Sequence, residues 1–169
     1  GTSLQLSAGS VLGIANALTI TAGILNVTTS IPNTVNFNGT GNQNVNGISY
    51  NNLVMSNGAN KTATAGVTTN SSLTIGTGTT FISGTYTHSV YLDFINNGSF
   101  TAGAGTIQLP GNQNSNITGA TTFNNLTVNK NSATTSVILP SDITAATVNM
   151  TLGTILTGSN TINITNTRN

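Results

Sequence analysis

Glutamate, cysteine and tryptophan are absent from this chain, and charge of either sign is nearly so. Of 169 residues only Lys61, Lys130, Arg168, Asp93 and Asp142 carry a formal charge. They make up 3% of the sequence, against roughly 25% in an average soluble domain. There is one histidine, His88, and aromatic residues amount to 5%. Each scarcity removes a class of function. Acid–base and nucleophilic catalysis need titratable groups held close together, and five scattered charges supply almost none. Metal sites draw on clusters of His, Cys, Asp or Glu, and none is encoded. Nucleic-acid binding leans on Lys and Arg, and a net charge of +1 gives no such footing. The expectation is a protein without catalytic residues, cofactor or metal, and with no nucleic-acid partner.

Long apolar runs are missing too. No stretch of 18 or more apolar residues occurs, so no membrane span is expected. The chain starts at Gly1 without a basic segment leading into an apolar one, which reads as a processed or excised segment. Disorder is also disfavoured. Disordered chains pair low hydrophobicity with high net charge. Here mean hydropathy is +0.10, and Val, Ile and Leu recur throughout.

What is present is Thr (33), Ser (16), Asn (27) and Gly (19), together more than half of the residues. Thr, Asn and Gly are poor in helix interiors. Strand signals recur instead, in Leu18-Thr19-Ile20, Val35-Asn36-Phe37, Leu73-Thr74-Ile75, Leu126-Thr127-Val128, Val148-Asn149-Met150 and Ile162-Asn163-Ile164. Each sets two apolar residues around a polar one, the period of a half-buried strand. Asn-Gly pairs at 38–39, 46–47, 57–58 and 97–98 supply turn chemistry, and strand starts are expected every 9–12 residues. Pro32, Pro110 and Pro140 read as strand terminators or edge positions.

The chain also repeats itself. Thr34-Val35-Asn36-Phe37, Gly41-Asn42-Gln43-Asn44 and Tyr50-Asn51-Asn52-Leu53-Val54 return in order as Thr106-Ile107-Gln108-Leu109, Gly111-Asn112-Gln113-Asn114 and Phe123-Asn124-Asn125-Leu126-Thr127. Ser72–Ile75 returns as Thr147–Met150. The two copies occupy about 34–100 and 106–164, and each holds several strands, so the smaller unit is a coil of roughly 20–25 residues. Short strands, turns and no helices at such a period point to one all-β domain over 1–169, a β-solenoid. Its Val, Ile and Leu would stack inward, and its Asn would form amide ladders. The alternative is a β-sandwich, single or tandem.

The stretch from Asn96 to Ile164, with Asn96-Asn97-Gly98-Ser99-Phe100, Gly103-Ala104-Gly105-Thr106-Ile107, Gly111-Asn112-Gln113 and Phe123–Val128, resembles the repeat region of very large secreted bacterial surface proteins. These are of the filamentous-haemagglutinin and autotransporter-passenger type. The resemblance implies a right-handed parallel β-helix at the cell surface, and it brings no catalytic motif.

Individual residues were weighed on the same terms. His88, in Thr85-Tyr86-Thr87-His88-Ser89, has no partner nearby in sequence and reads as a surface or turn histidine. Asp93 and Asp142 could pair for glycoside hydrolysis, but they lie 49 positions apart and read as turn or capping residues. Lys61 or Lys130 could form an isopeptide cross-link; Lys130, in Asn129-Lys130-Asn131, reads as part of a polar turn. Thr-x-Thr recurs at 19/21, 62/64, 77/79, 85/87 and 165/167, and a flat array of this kind could bind an ordered surface. Glycosylation sequons stand at Asn26, Asn38, Asn60, Asn70, Asn97, Asn116, Asn125, Asn149 and Asn163. Nine is close to what 27 Asn among 49 Ser plus Thr give by chance.

Solenoid ends are unpaired sheet edges that natural proteins cap. Here Leu4-Gln5-Leu6 and Ile162-Asn163-Ile164 read as uncapped strands. Leu4, Leu6, Ile162 and Ile164 are therefore the expected end-to-end contacts, with other copies or a continuing chain as partner. The functional expectation is an extracellular structural module that stacks into a surface fibre, sheath or stalk. The alternative is an adhesin that binds carbohydrate or a receptor through a lateral Thr/Asn-rich face.

Overall fold

The computed structural model describes residues 3–166. It is a parallel β-solenoid with no helix among those residues, wound in about eight coils of three faces. Face I is an eight-stranded sheet: Val11–Ile14, Thr34–Phe37, Asn52–Met55, Leu73–Ile75, Phe94–Asn96, Ser115–Thr118, Ser136–Ile138 and Thr154–Leu156. Face II holds Gln43–Val45, Ala59–Ala63, Thr79–Ile82 and Ser99–Thr101. Face III holds Ser49–Tyr50, Thr68–Thr69, Thr87–Val90 and Thr106–Gly111, then Thr121–Lys130 and Ile143–Leu152. Those last two strands are ten residues long and turn a corner, so their first residues continue face II beside Ser99–Thr101. Ile162–Ile164 pairs with 143–145. A short pair, Ser3–Gln5 with Ile24–Asn26, begins the winding.

Every ladder is parallel, and the register gives the coil length. Thr34 meets Asn52 after 18 residues, the shortest return, and Val11 meets Thr34 after 23, the longest. The coil is thus slightly shorter than the repeat suggests. Three strands share it, so strand starts come closer than every 9–12 residues: Leu73, Thr79, Thr87, Phe94 and Ser99 follow within one and a quarter coils. Leu18-Thr19-Ile20 is not a strand; it lies in a loop between Val11–Ile14 and Ile24–Asn26.

Period-two alternation turns one side of each strand into the lumen. Register then stacks like on like: Leu12, Val35, Leu53, Leu73, Phe94 and Ile117 form one inward column. From Val35 onward all are fully buried. A buried Leu or Val contributes roughly 1.5–3 kcal/mol, so this column is the main support of the fold. The few aromatics are concentrated at mid-length. Phe94, Phe100 and Phe123 lie with ring centroids 5.3–5.6 Å apart, and Phe81 stands 5.9 Å from Phe100. Those are the distances at which edge and tilted ring pairs attract.

The asparagines do link coils, but seldom amide to amide. Their side-chain oxygens mostly accept backbone N–H groups of a neighbouring coil, as Asn51 does from Asn33, Asn42 from Asn60, Asn52 from Ser72 and Asn114 from Ser136. Corners break the regular ladder, and these side chains satisfy groups that the corner would orphan.

The sequence repeat does not superpose whole coils. Thr34–Phe37 lies on face I and its counterpart at 106–109 on face III; Ser72–Ile75 and 147–150 repeat that shift. One repeat therefore spans three coils plus two further faces. None of the helices needed for a membrane span exists: no helix among the described residues is long and apolar enough to cross.

Candidate functional site

Three kinds of place hold the chemistry of this chain: polar groups sealed in the lumen, the corners that they support, and the two ends.

His88 is a lumen residue, not a surface or turn one. It is fully buried, because Thr87-His88-Ser89-Val90 puts it on the same inward side as Val90. Nδ1 accepts the Val67 N–H at 3.1 Å and Nε2 faces the Ser83 carbonyl at 3.0 Å. An N–H aimed at Nδ1 leaves the proton on Nε2, so the ring is neutral. Burial lowers its pKa, and the bond to the Ser83 carbonyl opposes that shift.

Both lysines are also buried, which corrects the reading of Lys130 as part of a polar turn. Lys61 Nζ donates to the Gly39 carbonyl at 2.5 Å and to the Gly41 carbonyl at 3.0 Å. Lys130 lies at the end of a strand, inward like Leu126 and Val128, and donates to the Pro110 carbonyl and the Ser115 hydroxyl. Pro110 itself stands within Thr106–Gly111, buried near the strand's end. Burial lowers the pKa of both lysines; at Lys130 the charge of Asp93 works the other way. The bonding partners of each ammonium are carbonyls and a hydroxyl, so an isopeptide bond finds no carboxylate poised at either amine.

These lysines share one job. Lys61 stacks directly over Gln43 and Lys130 over Gly111. Each roofs a Gly-Asn-Gln-Asn corner of the coil before it, 20 residues after Gly41 and 19 after Gly111. The corner turns carbonyls inward, and the ammonium satisfies them. No repeated lysine was recognised in the sequence, because the intervening segments differ in length.

Asp93 and Asp142 are not brought together. Asp93 lies on face I and accepts the Asn116 backbone N–H at 2.8 Å; Asp142 precedes Ile143–Leu152 and accepts the Thr161 N–H at 2.7 Å. Each caps the following coil, as the turn reading expects. The Thr-x-Thr pairs do not form one array either. Thr62 lies on face II, Thr79 is buried and Thr87 lies on face III. Thr167 falls outside the described residues, as does Arg168. Among the sequons, Asn60, Asn70, Asn97, Asn149 and Asn163 are exposed. Asn26, Asn38, Asn116 and Asn125 are half-buried, and Asn125 is bonded to Thr147 across a coil step.

The ends expose what the middle buries. Of the eleven large hydrophobic side chains that stand exposed, only Tyr86 and Tyr91 belong to the middle. At the C-terminal end the inward columns run out. Leu109 and Val128 are sealed and Met150 above them is 44% exposed; Phe123 and Ala145 are sealed and Ile164 is 50% exposed. Among the described residues Thr154–Leu156 and Ile162–Ile164 are paired on one side only. At the other end Leu4, Ile20 and Ile24 are exposed around a cleft of about 370 Å³. Leu6 is not part of this surface: it is 6% exposed and packs in the core, its N–H bonded to Asn26. Ile162 is half-buried.

Fold and corners define a parallel β-solenoid repeat protein. No family model, no curated protein and no solved structure matches the chain.

Proposed function

We propose that this chain is a non-enzymatic structural module of an extracellular surface fibre, sheath or stalk, lengthened by coils added at its open ends. One observation carries the reading: Met150 and Ile164 are the uncovered last members of columns that are otherwise dry. A further coil, from a second copy or from continuing chain, would cover them and pair the free edge. Copies joined head to tail would form an open filament. Two features of composition support the setting. A surface of Thr, Ser and Asn with 3% charge repels its neighbours weakly, and the likeness of Asn96–Val128 to repeats of secreted bacterial surface proteins points the same way. A second reading, lateral binding as an adhesin, is favoured by one groove, taken up below.

The test is size against concentration, by ultracentrifugation and electron microscopy. Rods that lengthen in steps of about 38 Å, eight coils of ~4.8 Å, are expected. Met150→Lys with Ile164→Lys should halt growth and leave the single copy folded. A strictly monomeric species at every concentration would refute self-stacking.

A further inference from the structure

We propose that the corner between faces III and I is a binding groove for a neutral carbohydrate strand, centred on Tyr91. The groove encloses about 310 Å³, within the range of small-ligand sites. It runs over the corners of five successive coils, past Pro32, Asn51, Asn70, Tyr91 and Gly111. Four steps of ~4.8 Å make it about 19 Å long, a shape for a linear polymer.

Its chemistry separates it from the rest of the surface. Elsewhere amide side chains are committed to holding coils together, as Gln43, Asn52 and Asn114 are. Here the side chains of Asn70, Asn112 and Gln113 are exposed and hydrogen-bonded to nothing in the protein. Tyr91 is 41% exposed, and its hydroxyl is likewise unbonded. The ring is held in place by Gly111, whose φ is +98°. A Cβ at that position would stand 3.1 Å from Tyr91 Cδ1, so only glycine lets the ring lie close against this corner. A fixed aromatic face beside amides that both donate and accept suits a sugar ring and its hydroxyls.

Other occupants fit less well. No charged side chain lines the groove, so an anionic polymer finds no counter-charge. An extended peptide would need free backbone groups to add as a strand. The backbone here is already paired: Asn70, Tyr91, Leu92 and Asn131 N–H groups are bonded to Tyr50, Thr69, Ser71 and Gly111 carbonyls.

This inference rests on the lateral-binding reading and is independent of end-to-end stacking. The test titrates the chain with cello-, xylo- and chito-oligosaccharides, with polygalacturonate as the anionic comparison. Tyrosine fluorescence and NMR amide shifts report binding; without tryptophan, Tyr86 and Tyr91 are the exposed fluorophores. Saturable binding of a neutral oligosaccharide is expected, with shifts at Asn70, Asn112 and Gln113. Tyr91→Ala should weaken it about tenfold or more, and Tyr91→Phe by less than about threefold. Tyr86→Ala should leave it unchanged. Asn112→Ala with Gln113→Ala, both exposed, gives a second arm if Tyr91→Ala unfolds. Binding that survives both variants overturns the groove and leaves lateral binding standing elsewhere. Failure of every neutral oligosaccharide at millimolar concentration overturns both. Preference for polygalacturonate, or for an unstructured peptide, overturns the assigned chemistry.

Discussion

The two Gly-Asn-Gln-Asn corners share letters and a lysine roof but put their glutamines to opposite uses. Gln43 turns inward, where its amide oxygen accepts the Gly39 N–H and its amide nitrogen donates to the Ile14 and Asn16 carbonyls. Gln113 turns outward and bonds nothing in the protein. The first corner joins face I to face II, and the second joins face III to face I. What differs is the coil underneath. Below Gln43 lie the Ile14 and Asn16 carbonyls, at the start of a loop that leaves acceptors open. Below the second corner lies Tyr91, whose N–H is already paired with Thr69. The same four residues thus serve as a structural plug where acceptors are waiting and as free surface where they are not.

The contrast breaks first at what the corners share. Lys61→Ala empties a sealed space and orphans two carbonyls, which should cost about 3–5 kcal/mol. Lys61→Met refills the space but not the bonds, and should cost about 2–3 kcal/mol. Urea midpoints of the two variants separate packing from hydrogen bonding; equal midpoints would mean that the carbonyls do not need the ammonium. Lys130→Ala should behave as Lys61→Ala does.

The glutamines come next. Gln43→Ala should cost about 2–3 kcal/mol through its lost bonds, whereas Gln113→Ala should stay within about 0.5 kcal/mol. Thermal melts of the pair decide this, and equal losses would erase the difference between the corners.

A smaller effect concerns the lumen between them. His88 has a folded pKa below its ordinary 6.5, so in the window below 6.5 the unfolded chain takes up a proton that the folded chain refuses. Stability is then complete above about pH 6.5 and falls as the pH drops, by at most about 1.4 kcal/mol per unit until the folded pKa is reached. A pH series of denaturation midpoints should show this slope, and His88→Leu should flatten it. The lysines act at the other extreme. Their lowered pKa values make folding more favourable as pH rises toward 10.5.

Much of this was legible along the chain. Alternation in Val35-Asn36-Phe37 or Leu73-Thr74-Ile75 specifies an inward and an outward side, and the recurring blocks specify a stacked architecture. The same alternation carries the buried polar groups. Lys61 shares parity with Ala59 and Ala63, Lys130 with Leu126 and Val128, and His88 with Val90. A charge or an imidazole reads as surface by residue type, and here position in the strand outweighs type because carbonyls await in the lumen. Leu18-Thr19-Ile20 is the opposite case: its pattern is strand-like, but no neighbouring coil pairs with it, and it stays in a loop.

Period, composition and turn residues alone settled that this chain winds short parallel-stacked strands around an aliphatic lumen, because burial of every second side chain leaves few other solutions. They did not settle which residues meet. Coil lengths that vary from 18 to 23 set each column's membership, and the uneven corners shift the repeat by two faces. Only the assembled winding therefore decided that Lys61 roofs Gly41, that Gln43 is sealed while Gln113 is free, and that Tyr91 rests on Gly111. Those are contacts between residues about one coil apart, fixed by register rather than by neighbours in sequence.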